Sequence, residues 1–74
     1  MPSLRPLKPQ KLISILKSLG FEIARQRGSH IQMRHPDGRV TTASFHSGED
    51  IGRGMLRKII KQVGMDPQEF IKMC

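Results

Sequence analysis

The sequence predicts an α+β fold of two layers: a helix, a three-stranded antiparallel sheet, a second helix and a short C-terminal helix. Two stretches with apolar residues at helical spacing bracket a middle stretch in which that spacing falls to two, and turn-forming residues separate the pieces. Leu12, Ile13, Leu16 and Leu19 form one apolar stripe on a helix that starts at Pro9, where proline suits the first turn, and ends before Gly20. From Phe21 the alternation Phe21, Glu22, Ile23, Ala24 marks a first strand, broken at Arg27-Gly28-Ser29. His30 to His35 alternates again and sets Ile31 and Met33 on one face, His30, Gln32 and Arg34 on the other. Pro36-Asp37-Gly38 is a turn, and the β-branched run from Arg39 to Phe45 completes a hairpin. A glycine-rich loop from His46 to Gly54 leads into a second helix, whose stripe is Met55, Leu56, Ile59, Ile60 and Val63. Asp66-Pro67-Gln68-Glu69 reads as an N-cap, a first-turn proline and a capping-box glutamate, so a third helix carries Phe70 and Ile71 to the core.

With 74 residues the chain is expected to form one domain over 1–74, because roughly 60% burial on folding cannot supply two cores. Residues 1–8, with prolines at 2 and 6, read as an extended basic arm. A hydrophobic fraction of 36% excludes a disordered polar chain. No apolar run approaches the roughly 20 residues of a membrane helix and no signal-peptide core is visible, so the expectation is a cytoplasmic protein without a membrane partner. Thirteen Lys and Arg against six Asp and Glu give a net charge of +7, which favours a polyanionic partner, nucleic acid first. Cys74 is the only cysteine, and the three histidines lack a metal-ligand spacing, so neither a metal nor another cofactor is expected.

Hairpin register decides which histidines meet. A two-residue turn would place Phe45 on the wet face. A three-residue loop with a bulge instead pairs Ile31 with Phe45 and Met33 with Ala43 on the core face. Apolar matching prefers the latter, which sets His30 opposite His46, Gln32 opposite Ser44 and Arg34 opposite Thr42.

Several short motifs then follow in order: Leu19-Gly20-Phe21, Gly28-Ser29-His30, His35-Pro36-Asp37-Gly38-Arg39, Phe45-His46-Ser47-Gly48-Glu49, Leu56-Arg57-Lys58-Ile59-Ile60-Lys61-Gln62 and Glu69-Phe70. In this set and spacing the chain resembles the HicA toxins of bacterial toxin-antitoxin systems, from about Lys8 to Ile71. The resemblance implies a fold like that of double-stranded-RNA-binding domains, ribosome-independent cleavage of messenger RNA, and a catalytic histidine at His30. It also implies a HicB-type antitoxin that covers His30 and often represses the shared operon. Ser44 stands where many relatives carry proline, so the resemblance does not fix the end of the third strand.

RNA carries its own nucleophile, the 2′-hydroxyl, so its cleavage needs a base, an acid and positive charge near the phosphate, but no metal. Histidine serves either proton role near neutral pH. On this reading His30 is the general base or acid and His46 a second proton carrier or phosphate contact. Gly28 and Ser29 form a turn that lets the RNA backbone approach, with the serine hydroxyl available to phosphate. Arg25, Arg27 and Arg34 lie near that edge, and Arg53, Arg57 and Lys58 open the second helix. His35, beside the hairpin turn, reads as structural. Phe21, Phe45 and Phe70 fit core positions and the chain has no Tyr or Trp, so base stacking is not on offer and sequence preference should be loose. The rival readings are a non-catalytic RNA-binding domain of the double-stranded-RNA-binding class, or a basic module that binds an acidic protein.

Overall fold

The computed structural model describes residues 3–46 and 48–74. It contains α1 (Pro9–Ser18), β1 (Glu22–Arg27), β2 (His30–Arg34), β3 (Val40–Ser44), α2 (Arg53–Gln62) and α3 (Pro67–Lys72). The strands form one antiparallel sheet in the order β1-β2-β3. This is the α+β arrangement that periodicity and turn residues predict. α2 begins two residues ahead of its apolar stripe, and Ser47, within one of the quoted motifs, lies outside the described residues, as do the first two residues of the arm.

Leu12, Ile15 and Leu16 of α1, Leu56, Ile59 and Ile60 of α2, and Phe70 of α3 bury themselves with Ile31, Met33 and Ala43 of the sheet. One sheet face is thus covered by helices, while His30, Arg34 and Thr42 on the other are exposed. Ile23 lies cross-strand from Met33 but remains 40% exposed, on an edge strand of the sheet. The N-terminal arm is extended yet docked. Leu7 exchanges both backbone hydrogen bonds with Ile51, at 3.1 and 2.6 Å, and Leu4 and Leu7 pack against the core. The arm is thus extended, as predicted, but Leu4 and Leu7 tie it to the packed structure.

α1 ends in a Schellman motif: Gly20 N–H donates to Lys17 O at 3.0 Å and Phe21 N–H to Leu16 O at 3.0 Å. Gly20 has φ +99°, and a Cβ there would come within 2.8 Å of His35 Nε2. Glycine is needed twice at this position, for the left-handed backbone and for the space the imidazole takes. His35 in turn stands edge-on to Phe21, with ring centroids 5.1 Å apart. This bears out its structural reading.

The hairpin corrects the predicted register. Its three loop residues are Pro36, Asp37 and Gly38, closed by His35 N–H to Arg39 O at 2.9 Å and Gly38 N–H to His35 O at 2.9 Å. The loop has the expected length but sits one residue earlier than apolar matching places it. Ile31 therefore pairs with Ala43, Met33 with Thr41, Gln32 with Thr42, Arg34 with Val40, and His30 with Ser44. Side chains of the turn fix this choice. Asp37 accepts from Arg39 N–H at 3.0 Å and from Arg39 Nε at 2.7 Å; Arg39 also donates to Val63 O and lies over the Phe21 ring at 5.3 Å. Register then buries Thr41, and its hydroxyl donates to Gln62 Oε1 at 2.7 Å, which removes the cost of an unpaired buried polar group. Phe45 falls beyond the end of β3, half-buried, its N–H donating to Ser29 O at 2.7 Å.

Hydrogen bonding from the Arg39 N–H holds the Asp37 carboxyl below the ordinary value of 3.8; the Arg39 guanidinium and His35 add to this, while partial desolvation opposes it. A depressed folded-state value stabilises the fold above 3.8 and is lost as pH falls through it. Asp37→Asn is accordingly expected to lower stability at neutral pH and to flatten the acid limb of the stability profile below that value. Urea unfolding at a series of acidic pH values measures both effects.

At the C-terminus Asp66 caps α3, accepting from Gln68 N–H at 3.0 Å. The reciprocal half of the predicted capping box is not formed among the described residues. Glu69 faces Lys72 instead, at 3.5 Å, and the short helix is capped from one side only.

Candidate functional site

The open sheet face is organised in rows that run across the three strands. Arg27, His30 and Ser44 form the first row, and Arg25, Gln32 and Thr42 the second. Glu22, Arg34 and Val40 form the third. Facing residues of antiparallel partners share a side, so each row projects from the same face.

Arg25 and Arg27 reach this face because of a bulge. The register between β1 and β2 shifts between Ile23 and Arg25, leaving Ala24 as the extra residue. Unbroken alternation would put Ile23, Arg25 and Arg27 on one side, the helix side. One inserted residue reverses the phase, so Ile23 stays opposite Met33 while both arginines turn to the side of His30. The β1–β2 connection is the two-residue turn Gly28-Ser29, with Gly28 at φ +59° and Ser29 without a positive φ. That is the pattern of a II′ turn, which requires glycine at its first central position. A turn this tight fixes Arg27 directly opposite His30.

His30 is exposed on the first residue of β2, and its Nδ1 lies 3.2 Å from Ser44 Oγ. Among the described residues its Nε2 makes no hydrogen bond. A hydroxyl can donate or accept, so Ser44 can hold the ring in either tautomer: with the proton on Nε2 when Oγ donates, or with Nε2 bare when Nδ1 donates. Arg25, Arg27, His30, Gln32 and Thr42 together line a shallow groove of about 310 Å³.

The other predicted site residues are distributed differently. His46 is not the cross-strand partner of His30, as the predicted register had it; Ser44 takes that place because the loop closes one residue earlier. His46 lies past β3, exposed, and lines a separate hollow with Ser44, Glu49, Asp50 and Met55. Arg34 sits opposite Glu22, in a depression it shares with His35 and Pro36. Arg57 lines an apolar hollow among the arm, α2 and α3, with Leu4, Ile60 and Met65, and so belongs to the helical layer. Arg53 and Lys58 are exposed on α2. Gln32 and Thr42 line the groove and Ser44 holds His30 from beside it, none of them singled out from sequence as site residues. Alternation places Gln32 on the open face, but the two residues from β3 depend on the register.

Fold and groove define a class: a basic two-layer α+β domain that presents an imidazole beside two arginines on an open sheet. Comparison with protein families narrows it further. The family model described as the HicA toxin of bacterial toxin-antitoxin systems matches residues 9–65, well over half of the chain. The chain belongs to the HicA toxin family, as the motif order implies, and its role is that of a toxin whose system includes an antitoxin. A comparison with curated proteins finds no match. No helix among the described residues is long and apolar enough to cross a membrane.

Proposed function

We propose that this toxin is an endoribonuclease that cleaves messenger RNA without a metal, with His30 as its proton-transfer residue. The observation that carries the reading is the exposed imidazole of His30, held at Nδ1 by Ser44 with Nε2 unengaged, in a groove flanked by Arg25 and Arg27. In the reaction the 2′-oxygen attacks the adjacent phosphorus and gives its proton to bare Nε2. The bond from phosphorus to the 5′-oxygen breaks, and the departing oxygen takes a proton back from the same nitrogen. The Nδ1–H donates to the Ser44 hydroxyl throughout, in the neutral ring and in the imidazolium alike, so Ser44 keeps Nε2 as the nitrogen that exchanges the proton. Arg27, across from His30, and Arg25 supply positive charge to the phosphate as its oxygens gain charge.

Arg34, Arg53 and Lys58 add to the field that draws RNA in, while Gly28 and Ser29 leave the approach to His30 free of bulk. His46 serves as a phosphate contact in the separate hollow past the end of β3. The partner is a HicB-type antitoxin that covers the His30 face, and the expected compartment is the cytoplasm.

The products test the mechanism. Purified toxin incubated with a transcript in EDTA is expected to leave 2′,3′-cyclic phosphate and 5′-hydroxyl ends, and to spare the same sequence made as DNA. Binding to the transcript without cleavage would favour the non-catalytic RNA-binding reading. Loss of cleavage on chelation would overturn the metal-free route.

A further inference from the structure

Gln32, in the second row of the open face, carries chemistry that the cleavage step does not use. Gln32 lies between Arg25 and Thr42, half-buried in the floor of the groove, and no side-chain hydrogen bond among the described residues engages its amide. Gln32 and His30 are two residues apart on β2, so their side chains emerge from one face roughly 6.8 Å from each other along the strand. That is comparable to the advance of one nucleotide along an extended single strand. A strand laid across the face with a phosphate at His30 therefore brings a neighbouring nucleotide to the Gln32 row.

Resting on the nuclease reading, we infer that Gln32 is a specificity residue that favours adenine at one fixed position beside the cleaved bond. An amide presents one acceptor and one donor side by side. It matches the adenine edge, accepting from the N6 amino group and donating to N7, whereas guanine offers only acceptors there. The row contains no other amide: Arg25 donates only, and the Thr42 hydroxyl is too short to span a base edge in bidentate fashion. Gln32 reads the base of that nucleotide, while Arg25 beside it stays with the phosphate of the cleaved bond. The open groove lacks stacking rings, so discrimination stays at the low end for such a pair, on the order of fivefold to tenfold. The overall looseness expected from the absence of exposed aromatics is kept at the remaining positions.

The test maps every cut in a long transcript of balanced composition by sequencing the new 5′ ends, using wild-type toxin, Q32A and Q32E. The readout is the base frequency at each position around the cut, which does not depend on total activity. Expected are an adenine enrichment of roughly fivefold to tenfold at one position for wild type, a flat profile there for Q32A, and a shift toward cytosine for Q32E, whose carboxylate accepts from the cytosine amino group. A wild-type profile without a favoured base, or a Q32A profile that keeps the adenine preference, overturns the assignment of Gln32. Absence of any cut by the wild-type protein overturns the nuclease reading itself, so the two failures are distinct.

Discussion

Replacement of His30 by alanine is expected to reduce RNA cleavage on the order of 10²- to 10⁴-fold and to abolish growth arrest when the protein is induced. Only the proton-transfer component should go. The His30 side chain is exposed and its one hydrogen bond among the described residues is with the half-buried Ser44 hydroxyl, which water can satisfy when the imidazole is removed. Circular dichroism and the unfolding midpoint should therefore match those of the wild type. Arg25 and Arg27 remain in place, so the variant should still bind RNA with the salt dependence of a basic surface. Cleavage by His30→Ala at the wild-type rate, in a folded protein, would remove the catalytic assignment.

Phe21→Ala is expected to act in the opposite way, eliminating the fold and with it every activity. Phe21 is 1% exposed, so its truncation costs about 3–5 kcal/mol from lost burial and the cavity left behind. Small domains sit near the lower end of the usual 5–15 kcal/mol stability range, and most of that margin would be consumed. The ring also holds two other groups, His35 edge-on at 5.1 Å and Arg39 over its face at 5.3 Å. Loss of both contacts loosens the hairpin turn that sets the register of β3. A urea titration should show the midpoint falling to near zero denaturant. Phe21→Leu, which keeps much of the volume, should retain a measurable folded state. A midpoint within experimental error of wild type would show that the ring is not the anchor described.

Apolar spacing made the helices and strands legible: Leu12 and Leu16, Leu56 and Ile60, and Ile31 with Met33 are buried where the period puts them. Polar side chains that act at a distance escaped it. Apolar matching favoured Ala43 opposite Met33, whereas the fold buries Thr41 there, and nothing local to Thr41 signals that Gln62 will accept its hydroxyl twenty-one residues on. The position of the hairpin loop depends on Asp37 and Arg39 binding each other, a contact that turn composition alone does not specify. His30 was legible because alternation assigns its face whatever the register. Its neighbour was not, since a shift of two in the pairing sum exchanges His46 for Ser44. The bulge at Ala24 was hidden for a similar reason: Arg25, Gln26 and Arg27 are all polar and show no change of phase, so only pairing with β2 exposes the extra residue.

That extra residue gives the strand slack. The Gly28-Ser29 turn sets Arg27 and Arg25 against His30 and Gln32 from one end, the core holds Ile23 opposite Met33 from the other, and Ala24 takes up the difference in count between them. Deletion of Ala24 would leave regular pairing, with both guanidinium groups still in the groove and Ile23 still on the core side. A further inserted residue would have to be absorbed at the same place or would turn Ile23 out of the core. Tolerance to a change of length is therefore concentrated at one position of this edge, where one residue fewer removes no charge from the site.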